Sequence, residues 1–189
     1  CNHYVYILSL LWIFHFTIEN SIVQFSGSTF ICCVGKGLND MSKKVKSAKL
    51  INKFKANFKC PLCDQSIKVI NFSSIVCTNN HTFDIAKQGY INFTTRPVNS
   101  NYGKDLFEAR NKFIMESRLY SPLHETITKT IKEHGIFANP FVIADLGCGE
   151  GSHLQSILDQ IQDSSITGIG LDISKEGILM AAKKYASPI

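Results

Sequence analysis

Four stretches beginning at Phe141 set the pattern of the C-terminal part: FVIADLGCGEG, SHLQSILDQIQ, ITGIGLDIS and KEGILMAAKKY. Short, nearly continuous apolar runs alternate there with stretches whose apolar residues recur at helical spacing. That alternation predicts strand, glycine turn, helix, strand, helix, the repeating unit of a parallel α/β sheet. Only two strands are predicted before Ile189, and a doubly wound domain uses several more, so the sequence is expected to stop inside its own fold.

Upstream, Asp105 to Gly135 has the spacing of two helices, with Leu106, Ala109, Phe113 and Ile114 on one stripe and Leu123, Ile127 and Ile131 on a second. Ser121-Pro122 separates them, because the residue before a proline is pushed out of the helical region. Gly135 is a stop for the second helix, and Pro140 stands at the entrance to the next strand. Between Phe58 and Phe93 the pattern shortens to β-prone runs at Ile67 to Phe72, Ser74 to Val76 and Tyr90 to Phe93, broken by turn-forming residues. Arg96 to Tyr102 reads as a polar loop or linker.

The first forty residues differ from all of this. Tyr4 to Phe16 is almost wholly apolar, the uncharged stretch ends at Glu19, and no basic residue occurs before Lys36. A signal peptide places positive charge ahead of its apolar run, and a membrane span needs about 20 apolar residues with basic flanks. Met41 is therefore expected to be the natural start, with residues 1–40 an upstream leader translated in frame and a membrane anchor as the alternative.

Charge sharpens the division. The formal net charge is +5, yet residues 1–40 hold only Lys36 against Glu19 and Asp40, so the rest of the chain is basic. Lys43, Lys44, Lys46, Lys49, Lys53, Lys55 and Lys59 follow Met41 with no acid among them. Such a run reads either as a solvated, disordered arm or as a nucleic-acid contact.

Of the seven cysteines, Cys60, Cys63 and Cys77 cluster with His81 in a Cys-x2-Cys-x13-Cys-x3-His pattern. Three thiolates and an imidazole, paired so that tight turns aim two ligands at one ion, are the donor set of a tetrahedral structural zinc site. Four protein ligands leave no open position, which assigns the metal to folding rather than chemistry. The competing reading is a redox Cys-Pro-Leu-Cys pair, which normally caps a helix in a βαβ setting that this segment lacks. About forty residues of this kind could not keep a core without the metal.

The second constellation is Asp145-Leu-Gly147-Cys-Gly149-Glu-Gly151. An acid closes a buried strand, and three glycines let the backbone turn tightly where a cofactor must approach the main chain. A dinucleotide fingerprint would need a glycine at 152, where Ser152 stands, so S-adenosylmethionine is favoured over NAD. Asp172, 21 residues after Gly151, ends the second strand where an acid accepts hydrogen bonds from ribose hydroxyls. Ser152 and His153 complete the candidate cofactor positions together with Glu150, which is either a solvated charge or a contact to the cofactor's amino-acid part. Cys148 has no evident base partner and reads as a small buried filler.

Taken together, F-x-C-P-L-C at Phe58 to Cys63, C-x3-H-x-F-D-x-A-K-x-G-Y-x-N at Cys77 to Asn92, E-A-R-x-x-F at Glu108 to Phe113, Y-x-P-L at Tyr120 to Leu123, D-L-G-C-G-E-G at Asp145 to Gly151 and G-L-D-I-S-K at Gly170 to Lys175 resemble the bacterial 23S rRNA (guanine-N1) methyltransferase family. The resemblance covers about residues 58 to 185. It implies a zinc module that helps recognise an rRNA hairpin, joined to a Rossmann-like class I domain that uses S-adenosylmethionine. It carries over Cys60, Cys63, Cys77 and His81 as zinc ligands, and Asp145, Gly147, Gly149, Gly151 and Asp172 as cofactor positions. One departure is Gly103-Lys104-Asp105, where the family tends to have Gly-Asp directly.

The expected organisation is a leader (1–40), a basic arm (41–57), a zinc-binding β module (58–98), a helical connector (99–139) and the first part of the α/β domain (140–189). No catalytic base can be named, and the truncated chain is expected not to turn over alone. The expected partner is a 23S rRNA hairpin, with a homodimer suggested by the resemblance, no membrane partner and a cytoplasmic location. His81, Lys87, Tyr90 and Arg96 are further RNA-contact candidates, each with a fold residue or a solvated charge as the alternative reading. The competing functions are methyl transfer to tRNA, protein or a small molecule, and RNA binding without catalysis.

Overall fold

The computed structural model describes residues 5–8, 30–34, 41–94, 102–134, 141–163 and 165–185, the first two segments by backbone alone. Arg96, Gly135, Pro140 and most of the apolar run at Tyr4 to Phe16 lie outside the described residues. In chain order the elements are β1 (Val5–Leu8), β2 (Phe30–Val34), α1 (Lys43–Lys53), a 3-10 turn (Lys55–Asn57), β3 (Ile67–Ile70), β4 (Ser74–Cys77), β5 (Thr82–Asp84) and β6 (Ile91–Asn92). They continue with α2 (Lys104–Ser117), α3 (Ser121–His134), β7 (Phe141–Leu146), α4 (Ser152–Ile161), β8 (Ile166–Asp172) and α5 (Lys175–Lys184).

The lysine-rich segment is a helix rather than the solvated, disordered arm that was one reading of its charge. Ser42 caps α1 through its side chain, and Ser47, Ala48 and Ile51 form a buried stripe at helical spacing that charge counting overlooked. Lys43 reaches across the molecule, its Nζ donating to the Ala182 and Lys183 carbonyls at 3.0 and 2.6 Å, where a cation suits the C-terminus of α5.

Two sheets follow. A three-stranded antiparallel sheet, in order β3-β4-β5, carries the cysteine-rich segment, and a five-stranded sheet has the order β1-β7-β8-β2-β6. β7 and β8 pair in parallel from Phe141↔Ile166 to Leu146↔Leu171, as the strand and helix alternation predicts. β1 lies parallel to β7, while β2 lies antiparallel to β8 and to β6. Parts of the first forty residues thus line both sides of the β7/β8 pair, which the hydrophobic pattern of the leader did not suggest.

Because side chains alternate across a strand, β7 and β8 divide their residues between two cores. Val142, Ala144, Ile169 and Leu171 join Ala48, Ile51, Phe54, Phe58, Ile75, Phe83, Ile85, Ile91 and Phe93 in one cluster. Phe141, Ile143 and Ile166 face the other way, packing with Ile127 and Ile131 of α3, Leu154 and Ile157 of α4, and Ile178 and Ala181 of α5. The cysteine-rich module is thereby joined to the sheet by side-chain packing.

Two connector helices form as the spacing predicts, but the break lies at Arg118, whose φ is +55°. Ser121-Pro122 instead opens α3, where a first-turn proline is tolerated. The stripe on α2 also differs. Phe107, Asn111 and Ile114 are its buried side, whereas Leu106 and Phe113 are half exposed. Among the described residues, no helix is long and apolar enough to cross a membrane.

Candidate metal centre and cofactor site

Turns at the ends of short strands assemble the cysteine cluster. Cys60 and Cys63 lie on the turn before β3, where the Asp64 N–H donates to the Cys60 carbonyl at 2.9 Å; Cys77 ends β4, and its N–H donates to the His81 carbonyl at 3.0 Å. The three Sγ atoms and one imidazole nitrogen all lie within 4.8 Å of one another. Cys63 Sγ is 3.7 Å from Cys77 Sγ, and His81 Nδ1 is 3.5 Å from both Cys60 Sγ and Cys77 Sγ. Metal–ligand bonds of about 2.3 Å to sulfur and 2.0–2.1 Å to nitrogen make tetrahedral edges of about 3.8 and 3.5 Å, so the four donors fit one zinc ion. Burial pushes the Cys60 thiol up to about 11, and a bound cation would have to displace that proton. A redox pair would need only Cys60 and Cys63; the structure brings Cys77 and His81 to the same point.

At the other site, β7 runs into a turn in which Gly147, Gly149 and Gly151 all have positive φ, at +80°, +58° and +82°. The Gly147 and Cys148 amides donate to the Leu171 carbonyl at 2.8 and 3.0 Å, tying the turn to β8. Asp172 fastens the same junction: Oδ2 accepts from the Gly149 amide and Oδ1 from the Ser174 amide, both at 2.7 Å.

The three glycines serve different ends. Among the described residues a Cβ on Gly147 would meet nothing within 4 Å, which leaves the main chain there open to a ligand. A Cβ on Gly149 would lie 2.7 Å from Arg110 Nη1 and 3.3 Å from Phe107, and one on Gly151 would lie 3.2 Å from the Ala181 side chain. Open space thus lies beside Gly147, whereas Gly149 and Gly151 admit α2 and α5.

Glu150 is fully buried, so it is not a solvated charge. Its carboxylate accepts from Arg110 Nη1 and from Ser152 Oγ. Asp145 is buried at the end of β7, and its pKa is pushed up to about 7, first by burial, with Asp172 and Glu150 adding to the rise and Arg110 opposing it. Glu150 is thus paired with Arg110, and Asp145 feels the charges of Arg110, Asp172 and Glu150 together. His153 turns away from this group: its Nδ1 is 2.8 Å from His124 Nε2 of α3, and Tyr120 packs against its ring at 4.8 Å. Burial, then the charges of Arg110 and His124, hold His153 down to about 4. Cys148 is a buried filler, as expected.

Arg110 and His124 are the residues that sequence reasoning left without a role. Arg110 stands in the E-A-R motif one turn after Phe107, and reading Leu106 and Phe113 as the inward side of α2 hid it. His124 lies one turn before Ile127 on the buried stripe of α3.

Comparison with known proteins supports the metal centre and gives the family. Residues 58–101 match the zinc-ribbon family described as RlmA, N-terminal. Over 131 residues the chain is 44% identical to YxjB of Bacillus subtilis (strain 168), provisionally named a 23S rRNA (guanine-N(1)-)-methyltransferase, covering 68% of this chain and 46% of that protein. Over 127 residues it is 31% identical to the 23S rRNA (guanine(748)-N(1))-methyltransferase of Streptomyces fradiae, covering 67% of this chain and 44% of that protein. The chain thus spans about half the length of the curated relatives it matches.

Proposed function

From the chain's membership of the 23S rRNA (guanine-N1) methyltransferase family, we propose that its protein transfers a methyl group from S-adenosylmethionine to N1 of a guanine in a 23S rRNA hairpin. The reading is carried by the open main chain at Gly147 between the strand ends that bear Asp145 and Asp172, with Arg110 already occupied by Glu150. A cofactor with a sulfonium and an ammonium group suits such a site. The sulfonium supplies the electrophilic methyl carbon.

In this reading Asp145, Gly147 and Asp172 face the cofactor, Asp172 accepting from ribose hydroxyls, while Gly149 and Gly151 let α2 and α5 close on the turn. Glu150 and Ser152 shape the turn from behind, and His153 anchors the following helix to α3. Guanine N1 carries a proton at neutral pH, so a positioned base must accept it as the nitrogen attacks in line; orientation and such a base each lower the barrier. Neither that base nor the guanine pocket is assigned to residues of this chain. Cys60, Cys63, Cys77 and His81 hold a structural zinc ion, and the module around them contributes to RNA recognition. The substrate places the protein in the cytoplasm, and the exposed Leu106 and Phe113 side of α2 would serve a homodimer.

Primer extension on 23S rRNA tests the reading, because a methyl on guanine N1 blocks pairing and stops the polymerase. One stop should vanish when the gene is deleted and return on complementation. An unchanged pattern of stops would remove the rRNA assignment.

A further inference from the structure

Charge is unequally shared between the two halves of the molecule. Residues 41–94 hold nine lysines against Asp64 and Asp84, a net +7, whereas residues 102–185 hold nine Lys and Arg against eleven Asp and Glu, a net −2. A polyanion is therefore drawn to the cysteine-rich half. Within that half, the β3–β4 turn is unusual. The Ser73 amide donates to the Ile70 carbonyl at 3.0 Å, closing a tight turn whose central residues, Asn71 and Phe72, have φ of +50° and +51°.

Two consecutive left-handed residues are the mark of a type I′ hairpin turn, which favours Asn then Gly. Asn71 conforms, but Phe72 stands where glycine is favoured. For a bulky side chain this backbone is an outlier and costs stability. Phe72 gains little burial in return, since it is 49% exposed, and Ile70 beside it is 36% exposed. The turn lies at the far end of the hairpin from the Cys/His cluster, which adjoins the Ile67↔Cys77 pair. Lys68 is exposed on the same face of β3 as Ile70, and the nearby acid Asp84 is held by Ser74 Oγ at 2.8 Å.

We propose that Phe72, backed by Ile70, is a stacking platform for an unpaired RNA base, with Lys68 beside it and the net charge of the module drawing the phosphates. The inference rests on the rRNA reading above and deepens it. An aromatic ring at a turn tip offers a flat, sequence-tolerant surface to a splayed base, and the basic module supplies the attraction that a lone exposed ring lacks.

The test uses the full zinc-loaded chain and two fluorescein-labelled RNAs, a stem with an unpaired purine-rich loop and the same stem closed as a blunt duplex, compared by anisotropy. Phe72→Gly should weaken stem-loop binding about tenfold, the size of one lost stacking contact, and leave duplex binding unchanged. The same variant should melt at a higher temperature than the parent, because glycine accepts the left-handed backbone freely. Phe72→Trp should keep the stem-loop affinity. Unchanged stem-loop binding by Phe72→Gly, an equal loss on both RNAs, or a lower melting temperature with loss of zinc would overturn the proposal. Self-association abolished by Phe72→Gly would instead make the turn a protein contact, which also overturns it. A parent chain that binds neither RNA would take away the rRNA reading itself, a result distinct from the others.

Discussion

Arg110 of α2 and Glu150 of the glycine turn form an ion pair in which the carboxylate side chain is 0% exposed and the guanidinium 28%. The connector helix is thereby fastened to the turn that the proposed cofactor must approach. Arg110→Ala strands a buried carboxylate, which in comparable pairs costs about 3–5 kcal/mol. We expect a loss near the lower end of that range in urea unfolding, because Arg110 is partly solvated. Arg110→Ala combined with Glu150→Gln should recover much of it, and a double variant no more stable than Arg110→Ala would show that the pair is not the cause.

The glycines can be separated by their surroundings. Gly147→Ala adds a methyl group in open space at φ +80°, so its structural cost is confined to the left-handed backbone, on the order of 1–2 kcal/mol. It should nevertheless weaken S-adenosylmethionine binding in calorimetry. Gly149→Ala also meets Arg110 and Phe107, and should lower the melting temperature more than Gly147→Ala does.

Two buried groups give opposing pH dependences. The folded-state pKa of Asp145 is raised to about 7 from 3.8, so its contribution is fully present below about pH 3.8 and is lost as pH rises through 7. That of His153 is lowered to about 4 from 6.5, so its contribution is present above about pH 6.5 and is lost as pH falls towards 4. Stability measured from pH 4 to 7 should therefore climb more steeply with pH in Asp145→Asn and less steeply in His153→Gln. Identical slopes in both variants and the parent would contradict these assignments.

Zinc removal should be felt in the cysteine-rich module first. Chelation, or Cys77→Ser, should abolish the amide-exchange protection of β3, β4 and β5, since their short strands surround the cluster. Retained protection in metal-free protein would mean that the apolar contacts alone hold the module.

Much of this was legible in the sequence where local chemistry dictates structure. Cys60, Cys63, Cys77 and His81 meet because pairing on tight turns leaves few other arrangements, and Asp145 and Asp172 end adjacent strands because each closes an apolar run. The α1 helix was obscured by its lysines, whose charge says nothing about the Ser47, Ala48 and Ile51 stripe beneath them. β5 is three residues long, too short for a period to register. The inward side of α2 is hidden from the apolar pattern because Asn111, a polar residue, lies on it between Phe107 and Ile114. The pairing of β1 and β2 with the central sheet is set by distant hydrogen-bond partners, which no local pattern encodes.

Val142, Ala144, Ile169 and Leu171 share one core with the phenylalanines of the cysteine-rich module. The module is consequently not on a leash. Its distance from the glycine turn is fixed by the thickness of a packed layer, so under the proposed reading the molecule would work as a gauge, measuring a set span between what the module grips and what the turn serves.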